Sequence, residues 1–198
     1  MTDAMLLDEV LPRFDATRVE HRVIDGGLAP VYDAVLRTDF LRTWRESTAL
    51  RMLFAARTSA ERLVAMARGR QYSEPEAPAS LRLKDLTEHG EWVRLGERPP
   101  HEVVFGVVGR FWGGETSWEE IDASEFAGFD RPGFAKIACN FSLRPYGAAR
   151  TLLSYEARTL ATDDDARRAF LRYWTAVSTG VGVVMRSQLE AIEREARG

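Results

Sequence analysis

Several residue types and patterns are scarce in this sequence, and each scarcity excludes a class of protein. The single cysteine, Cys139, excludes an internal disulfide and a zinc site built only from cysteines. The net charge of −3 provides no basic excess that would indicate a nucleic-acid partner. The longest apolar run covers residues 103–109. It has the length of a strand and falls far short of the ~20 residues of a membrane span.

Signals for export and for common catalytic chemistry are also missing. Acidic residues Asp3, Asp8 and Glu9 stand where a signal peptide would carry basic residues and an apolar stretch, so we expect a cytoplasmic location. The sequence contains no nucleophile elbow (GxSxG), zincin motif (HExxH), P-loop, dinucleotide-binding loop (GxGxxG) or CxxC pair. Its three histidines lie on different predicted elements. We therefore expect neither a metal site nor a cofactor.

The chain does contain enough apolar sequence for one compact domain. Hydrophobic residues make up 45% of its 198 residues, and a chain of this size buries roughly 70% of its unfolded surface. We therefore expect a single domain over residues 1–198. In its first third, alternation over residues 17–25 predicts an edge strand that ends at Gly26 and Gly27. Helices are predicted from there to about residue 40, over about 41–56 and over about 59–68.

The pattern changes to a period of two between residues 81 and 161. This period predicts the strands of an antiparallel meander at 81–86, 91–97, 101–112, 115–122, 135–144 and 151–161. A long amphipathic helix follows over about 163–197, with the acidic residues 163–165 capping its start. Gly180 and Gly182 interrupt this helix. They indicate either a kink or close approach to the sheet, or space for a ligand.

The order of strand, helices, six strands and long helix predicts an α+β fold, because a sheet with one apolar face needs a cover. Four stretches then resemble a known family: 102–112 (EVVFGVVGRFW), 129–141 (FDRPGFAKIACNF), 154–158 (SYEAR) and 166–174 (ARRAFLRYW). They are similar to a bacterial branch of the SRPBCC superfamily, whose members include START-like, Bet v 1-like and polyketide cyclase/dehydrase-like proteins. The resemblance implies a helix-grip fold, in which a curved antiparallel sheet of about seven strands wraps around the C-terminal helix. Extra helices would lie between strands 1 and 2.

Candidate ligand-binding residues follow from the face on which each strand residue lies. Odd-numbered positions of the strands at 101–112, 135–144 and 151–160 are mostly apolar, so we expect them to face the interior and the even-numbered positions to face solvent. With the apolar stripe of the last helix, they give this candidate lining: Phe105, Val107, Phe111, Cys139, Phe141, Tyr155, Trp174, Val177, Val181 and Met185. Cys139 is interpreted as a buried structural thiol.

Three hypotheses for the function stay open at this point. The first is binding of a hydrophobic small molecule, such as a lipid or polyketide, in an internal cavity. The second is a cyclase/dehydratase-type enzyme, in which Glu156, Arg158 or Arg110 turns inward through a bulged or flipped strand and acts as acid, base or oxyanion partner. The third is a ligand-free interaction protein or a peripheral membrane protein.

Residues 41–70 form a basic segment that bears on the third hypothesis. They include seven arginines and two glutamates, which gives a net charge of +5, beside apolar residues such as Leu53 and Phe54. Such a segment is either a lid whose arginines are solvated or an amphipathic surface that makes weak contact with an anionic membrane.

Overall fold

The computed structural model describes residues 4–41, 82–85, 91–112 and 116–198. These residues contain helices α1 (Leu6–Val10), α2 (Leu28–Arg37), α3 (Ala123–Phe126) and α4 (Asp164–Arg197). They also contain strands β1 (Ala16–Asp25), β2 (Val93–Arg98), β3 (Glu102–Arg110), β4 (Ser117–Glu119), β5 (Ala135–Pro145) and β6 (Arg150–Ala161).

The strands form one antiparallel sheet in the order β1-β6-β5-β3-β2. On the side of β3 that faces away from β5, β2 pairs with the first residues of β3 and the short β4 pairs with its last residues. The first and last strands of the chain are therefore neighbours, and β1 is an edge strand as the alternation predicts. This arrangement confirms the α+β fold, a curved antiparallel sheet with a long C-terminal helix. The described part of the chain has six strands in place of the expected seven.

The predicted strand at 81–86 is wrong where the structure describes it. Residues 83–85 form a helical turn, and the backbone N–H of Arg82 donates to a carboxylate oxygen of Asp85 at 3.4 Å. An acidic side chain that bonds back to the residue at the helix start is typical of a helix N-terminus. The helices predicted over 41–56 and 59–68 lie outside the described residues, except for Leu41.

The odd-numbered residues of β3, β5 and β6 form the main core with α2 and α4. We call this side of the sheet the inner face. Its core includes Val103, Phe105, Cys139, Phe141, Leu143, Leu153 and Tyr155 from the sheet, and Met185, Leu189 and Ile192 from α4. The odd positions are thus the ones that α4 covers, as the alternation predicts.

The other side of the sheet, the outer face, holds a second core that the sequence did not predict. Val104, Val108 and Ala138 are fully buried there, under Leu7 of α1 and Phe126 of α3. The expectation of solvated even-numbered positions is therefore wrong for β3 and for much of β5. The physical reason is that β3 is apolar at both parities, which is the pattern of a strand buried on both faces.

Ion pairs join α4 to the edge strand β1. Arg18 and Arg186 both bond to Glu20, and Arg22 bonds to Glu190 and Glu193. The guanidinium of Arg18 lies directly against Gly182, where a Cβ atom would come within 2.8 Å of Nε. Of the two interpretations of this glycine, close approach to the sheet is the one that the structure supports.

Candidate functional site

The predicted lining residues fall into two groups along α4. Phe105, Cys139, Phe141, Tyr155 and Met185 belong to the inner core, and Val181 packs against it. Phe111 and Trp174 lie with Trp112 and Phe170 in a separate cluster near the start of α4. Val107 is fully buried on β3. Val177 is half-buried on α4, at a position between these two groups of residues.

The inner face presents a continuous panel of aromatic rings. The register places Phe105 opposite Cys139 and Phe141 opposite Tyr155, so all four side chains share one face. Ring centroids are 4.5 Å apart for Phe141 and Tyr155 and 5.9 Å apart for Phe105 and Phe141. Phe40 adds a stacked ring at 6.0 Å from Phe141. Such packed rings form a rigid, flat and apolar wall.

Two polar groups lie within this panel, the thiol of Cys139 and the hydroxyl of Tyr155. Burial raises the pKa of Cys139 to about 12 and holds the pKa of Tyr155 well above its ordinary value. Both groups are therefore neutral at physiological pH, and the thiol lacks the thiolate character that a nucleophile needs.

A third polar group, Gln188 of α4, was not assigned a role by the sequence. Its residue is only 9% exposed, and its side-chain carbonyl oxygen Oε1 is buried without a hydrogen-bond partner. An unpaired buried polar group destabilises a folded protein by about 1–3 kcal/mol. The signal that could have revealed it is the position of a lone polar residue between Met185 and Ile192 on an apolar helix stripe.

The stripe of α4 that faces the sheet is not buried evenly. Phe170 and Met185 are almost fully buried, whereas Trp174, Val177 and Val181 between them are half-buried. These five residues recur at steps of three or four and therefore share one face of the helix. Ile137 on β5 and Ala157 on β6 are also half-buried inner-face residues, and with Val181 they pack against the inner core. Accessible apolar surface thus remains on the middle of α4 and on the inner face of the sheet.

The candidate catalytic residues lie away from this surface. Arg158 is on the outer face, where it donates to Glu156 at 2.7 Å, to Asp8 at 2.7 Å and to the carbonyl of Leu11 at 3.1 Å. Burial opposes its charge, but the bonds to both carboxylates keep the pKa of Arg158 above its ordinary value. Arg158 and Glu156 therefore hold α1 and its following turn on the sheet.

The hypothesis that Arg110, Glu156 and Arg158 point inward is wrong. Arg110 is exposed at the end of β3, where it pairs in register with Ser117. No strand flip brings Glu156 or Arg158 inward, because the pairing of β5 with β6 keeps one regular register over residues 135–145. The charged interior expected for the enzyme hypothesis is therefore absent from the described residues at these positions.

Metal ligands and membrane-spanning helices are two further features that could define a site. The described residues contain no group of three or more histidine, cysteine, aspartate or glutamate side chains placed to hold a metal ion. Within the same residues, none of the helices has the length and apolar character needed to cross a membrane. His21 bonds to Ser154 at 2.8 Å on the exposed side of β1.

Comparison with known proteins gives matches to solved structures only. No protein-family model matches the chain. No curated protein matches it either. Protein MLL2253 from Mesorhizobium loti is similar over 91% of this chain and 96% of its own, with 14% identity and a TM-score of 0.40. A conserved protein from Geobacillus kaustophilus matches over 92% and 95%, with 10% identity and a TM-score of 0.40.

A further match is the di-domain ARO/CYC protein BexL from the BE-7585A biosynthetic pathway. It is 15% identical, with a TM-score of 0.34, and covers 96% of this chain. The match takes in 53% of BexL, so this chain spans about half of that protein. At these identities and TM-scores, none of the matches assigns an activity to this chain.

Proposed function

We propose that this protein binds a mostly apolar small molecule, such as a lipid or polyketide, between α4 and the inner face of the sheet. The observation that carries the proposal is the change in burial along α4. Trp174, Val177 and Val181 keep accessible apolar surface on the same helix face as the buried Phe170 and Met185. Small-molecule sites are lined mostly by apolar and aromatic side chains of this kind.

Burial of the ligand would supply most of its affinity. Each Å² of apolar surface removed from water contributes roughly 25 cal/mol before the entropy losses of binding. The panel of Phe105, Phe141 and Tyr155 is already packed and buried, so it would support the site from behind rather than form its accessible surface. The proposal is one of binding rather than catalysis, since Arg158 is bonded to Asp8 of α1 and to Leu11, and Glu156 is bonded to Arg158, all on the outer face.

Three further points belong to the proposal. Membership of the SRPBCC superfamily is supported by the four sequence stretches and by the long helix against an antiparallel sheet. A cytoplasmic location is also part of the proposal. Weak contact with an anionic membrane surface through residues 41–70 is supported by their net charge of +5, and all but the first of these residues lie outside the described part.

A substitution that fills the site tests the proposal. Val181→Trp places a large ring on the half-buried middle of α4, so it should weaken the binding of Nile red, a neutral apolar dye, about tenfold or more. Fluorescence titration of the purified protein measures this affinity. Ala157→Leu, across the same surface on β6, should weaken the binding in the same direction.

Val19→Trp is the matched control, because Val19 is an exposed valine on β1 opposite Glu156, away from α4. It should bind the dye like the unaltered protein. The proposal fails if the unaltered protein does not bind Nile red, or if folded Val181→Trp and Ala157→Leu both bind it without loss of affinity. Circular dichroism establishes which variants are folded.

A further inference from the structure

Gln188 places an unpaired hydrogen-bond acceptor on the apolar face of α4. Its carbonyl oxygen is buried and has no partner. The residues one turn away on the same side, Val184 and Ile192, are apolar, as are the adjacent Met185 and Leu189. The helix therefore has no local polar group that would explain the amide at this position.

The contrast with Asn140 shows what a structural amide looks like in this fold. Asn140 has the other unpaired buried side-chain oxygen among the described residues, but its Nδ2 donates to Glu102 at 2.6 Å. That bond fixes its position on the outer face beside α1. Since buried polar atoms are almost always paired, the unpaired carbonyl oxygen of Gln188 calls for a partner outside the chain.

The inner face also carries the thiol of Cys139 and the hydroxyl of Tyr155, each of which can donate as well as accept a hydrogen bond. The side-chain carbonyl of Gln188 can only accept, and it has no partner. It is the acceptor that a ligand donor would pair with at the least loss of existing bonds.

We propose that Gln188 accepts a hydrogen bond from a hydroxyl or N–H group on an otherwise apolar ligand. This inference rests on the proposed function and specifies the ligand class: alcohols, phenols and amides rather than plain hydrocarbons or ethers. Carboxylate anions are disfavoured, because their oxygens would face the carbonyl oxygen of Gln188 with like partial charges. The bond also fixes orientation, with the donor group of the ligand directed toward the carboxyl-terminal half of α4.

Two probes that differ in one donor test this inference. 2-Naphthol has a hydroxyl, and 2-methoxynaphthalene has the same rings with the donor removed. Displacement of Nile red from the unaltered protein should show that 2-naphthol binds about tenfold more tightly, as one buried hydrogen bond predicts. Gln188→Leu should remove this preference and leave the affinity for 2-methoxynaphthalene unchanged or higher.

Matched variants separate this role from a structural one. Ser187→Ala removes a neighbouring hydroxyl that is already bonded to the carbonyl of Val183 at 3.0 Å, so it should keep the preference. Gln188→Met replaces the amide by an apolar chain of similar length. It serves as the second variant if Gln188→Leu does not fold. Without ligand, Gln188→Leu or Gln188→Met should melt at a higher temperature than the unaltered protein, since an unpaired carbonyl has been removed.

The outcomes distinguish the inference from the proposed function. If Nile red binds but the unaltered protein does not prefer 2-naphthol, the inference is wrong and the proposed function stands. The inference is also wrong if the preference persists in both Gln188 variants, or if those variants melt at a lower temperature. If Nile red does not bind to the unaltered protein, both fail.

Discussion

At the scale of single residues, the buried carboxylate of Glu102 shows how one side chain fixes an element that is distant in the sequence. It accepts from the backbone N–H groups of Leu6 at 2.7 Å and Leu7 at 3.2 Å, and from Asn140 at 2.6 Å. These N–H groups stand at the free start of α1, where a negative charge is most favourable. Glu102 thereby anchors α1 over the outer core.

Replacing this carboxylate by an amide should destabilise the fold. Glu102→Gln keeps the shape of the side chain but leaves one oxygen instead of two to accept from the three donors. The free energy of unfolding should therefore fall by about 1–3 kcal/mol. Urea denaturation measures this change. Glu190→Gln is the control, because Glu190 forms only an exposed pair with Arg22 and should change stability by less than ~1 kcal/mol. Equal denaturation midpoints for the two variants would contradict this account of Glu102.

At the scale of elements, features set by neighbouring residues could be predicted and features set by distant partners could not. The capped start of α4 and the alternation of β1 are local, and both were predicted from the sequence. The cover that α1 provides depends on Glu102 and Arg158, which follow it by about a hundred residues or more, and no local pattern reveals it. The strand predicted at 81–86 failed because a short segment carries too little periodicity to separate a strand from a helical turn.

The cap of α4 should also make stability depend on pH. Asp163 accepts from the N–H groups of Asp165 at 2.8 Å and Ala166 at 2.9 Å. The bond from Ala166 contributes most to lowering the pKa of Asp163 below its ordinary value of 3.8. A lowered pKa stabilises the fold above pH 3.8, and this contribution is lost as the pH falls through the pKa in the folded state.

Asp163→Asn keeps the oxygen that caps the helix but removes the charge and the second oxygen, which accepts from the backbone N–H of Gly133. The difference in melting temperature between the unaltered protein and Asp163→Asn should be largest near pH 6 and shrink as the pH falls below 3.8. Melting curves followed by circular dichroism over this pH range measure it. Asp164→Asn, at the next and exposed position, is the control. A difference that is independent of pH would contradict the assigned role of the Asp163 carboxylate.

At the scale of the whole molecule, the two faces of the sheet are covered by different helices. The inner face was predicted well, because odd-numbered positions such as Phe105, Phe141 and Tyr155 alternate clearly with their neighbours. The outer core was missed, because its cover comes from short helices without a strong pattern of their own. Of the candidate site, the position of Trp174, Val177 and Val181 on one face of α4 could be predicted from its stripe. The unpaired state of Gln188 could not, since it depends on what surrounds the side chain in three dimensions.

The central claim is that a ligand occupies the space between α4 and the inner face, and mass spectrometry tests it most directly. The protein is purified gently, its intact mass is recorded under native conditions, and a solvent extract of the same sample is analysed. The account predicts one apolar adduct per chain in the unaltered protein and in Val19→Trp, and its loss in Val181→Trp. A chain that carries no adduct, and that also binds nothing from a mixed panel of lipids, alcohols and phenols, would contradict it.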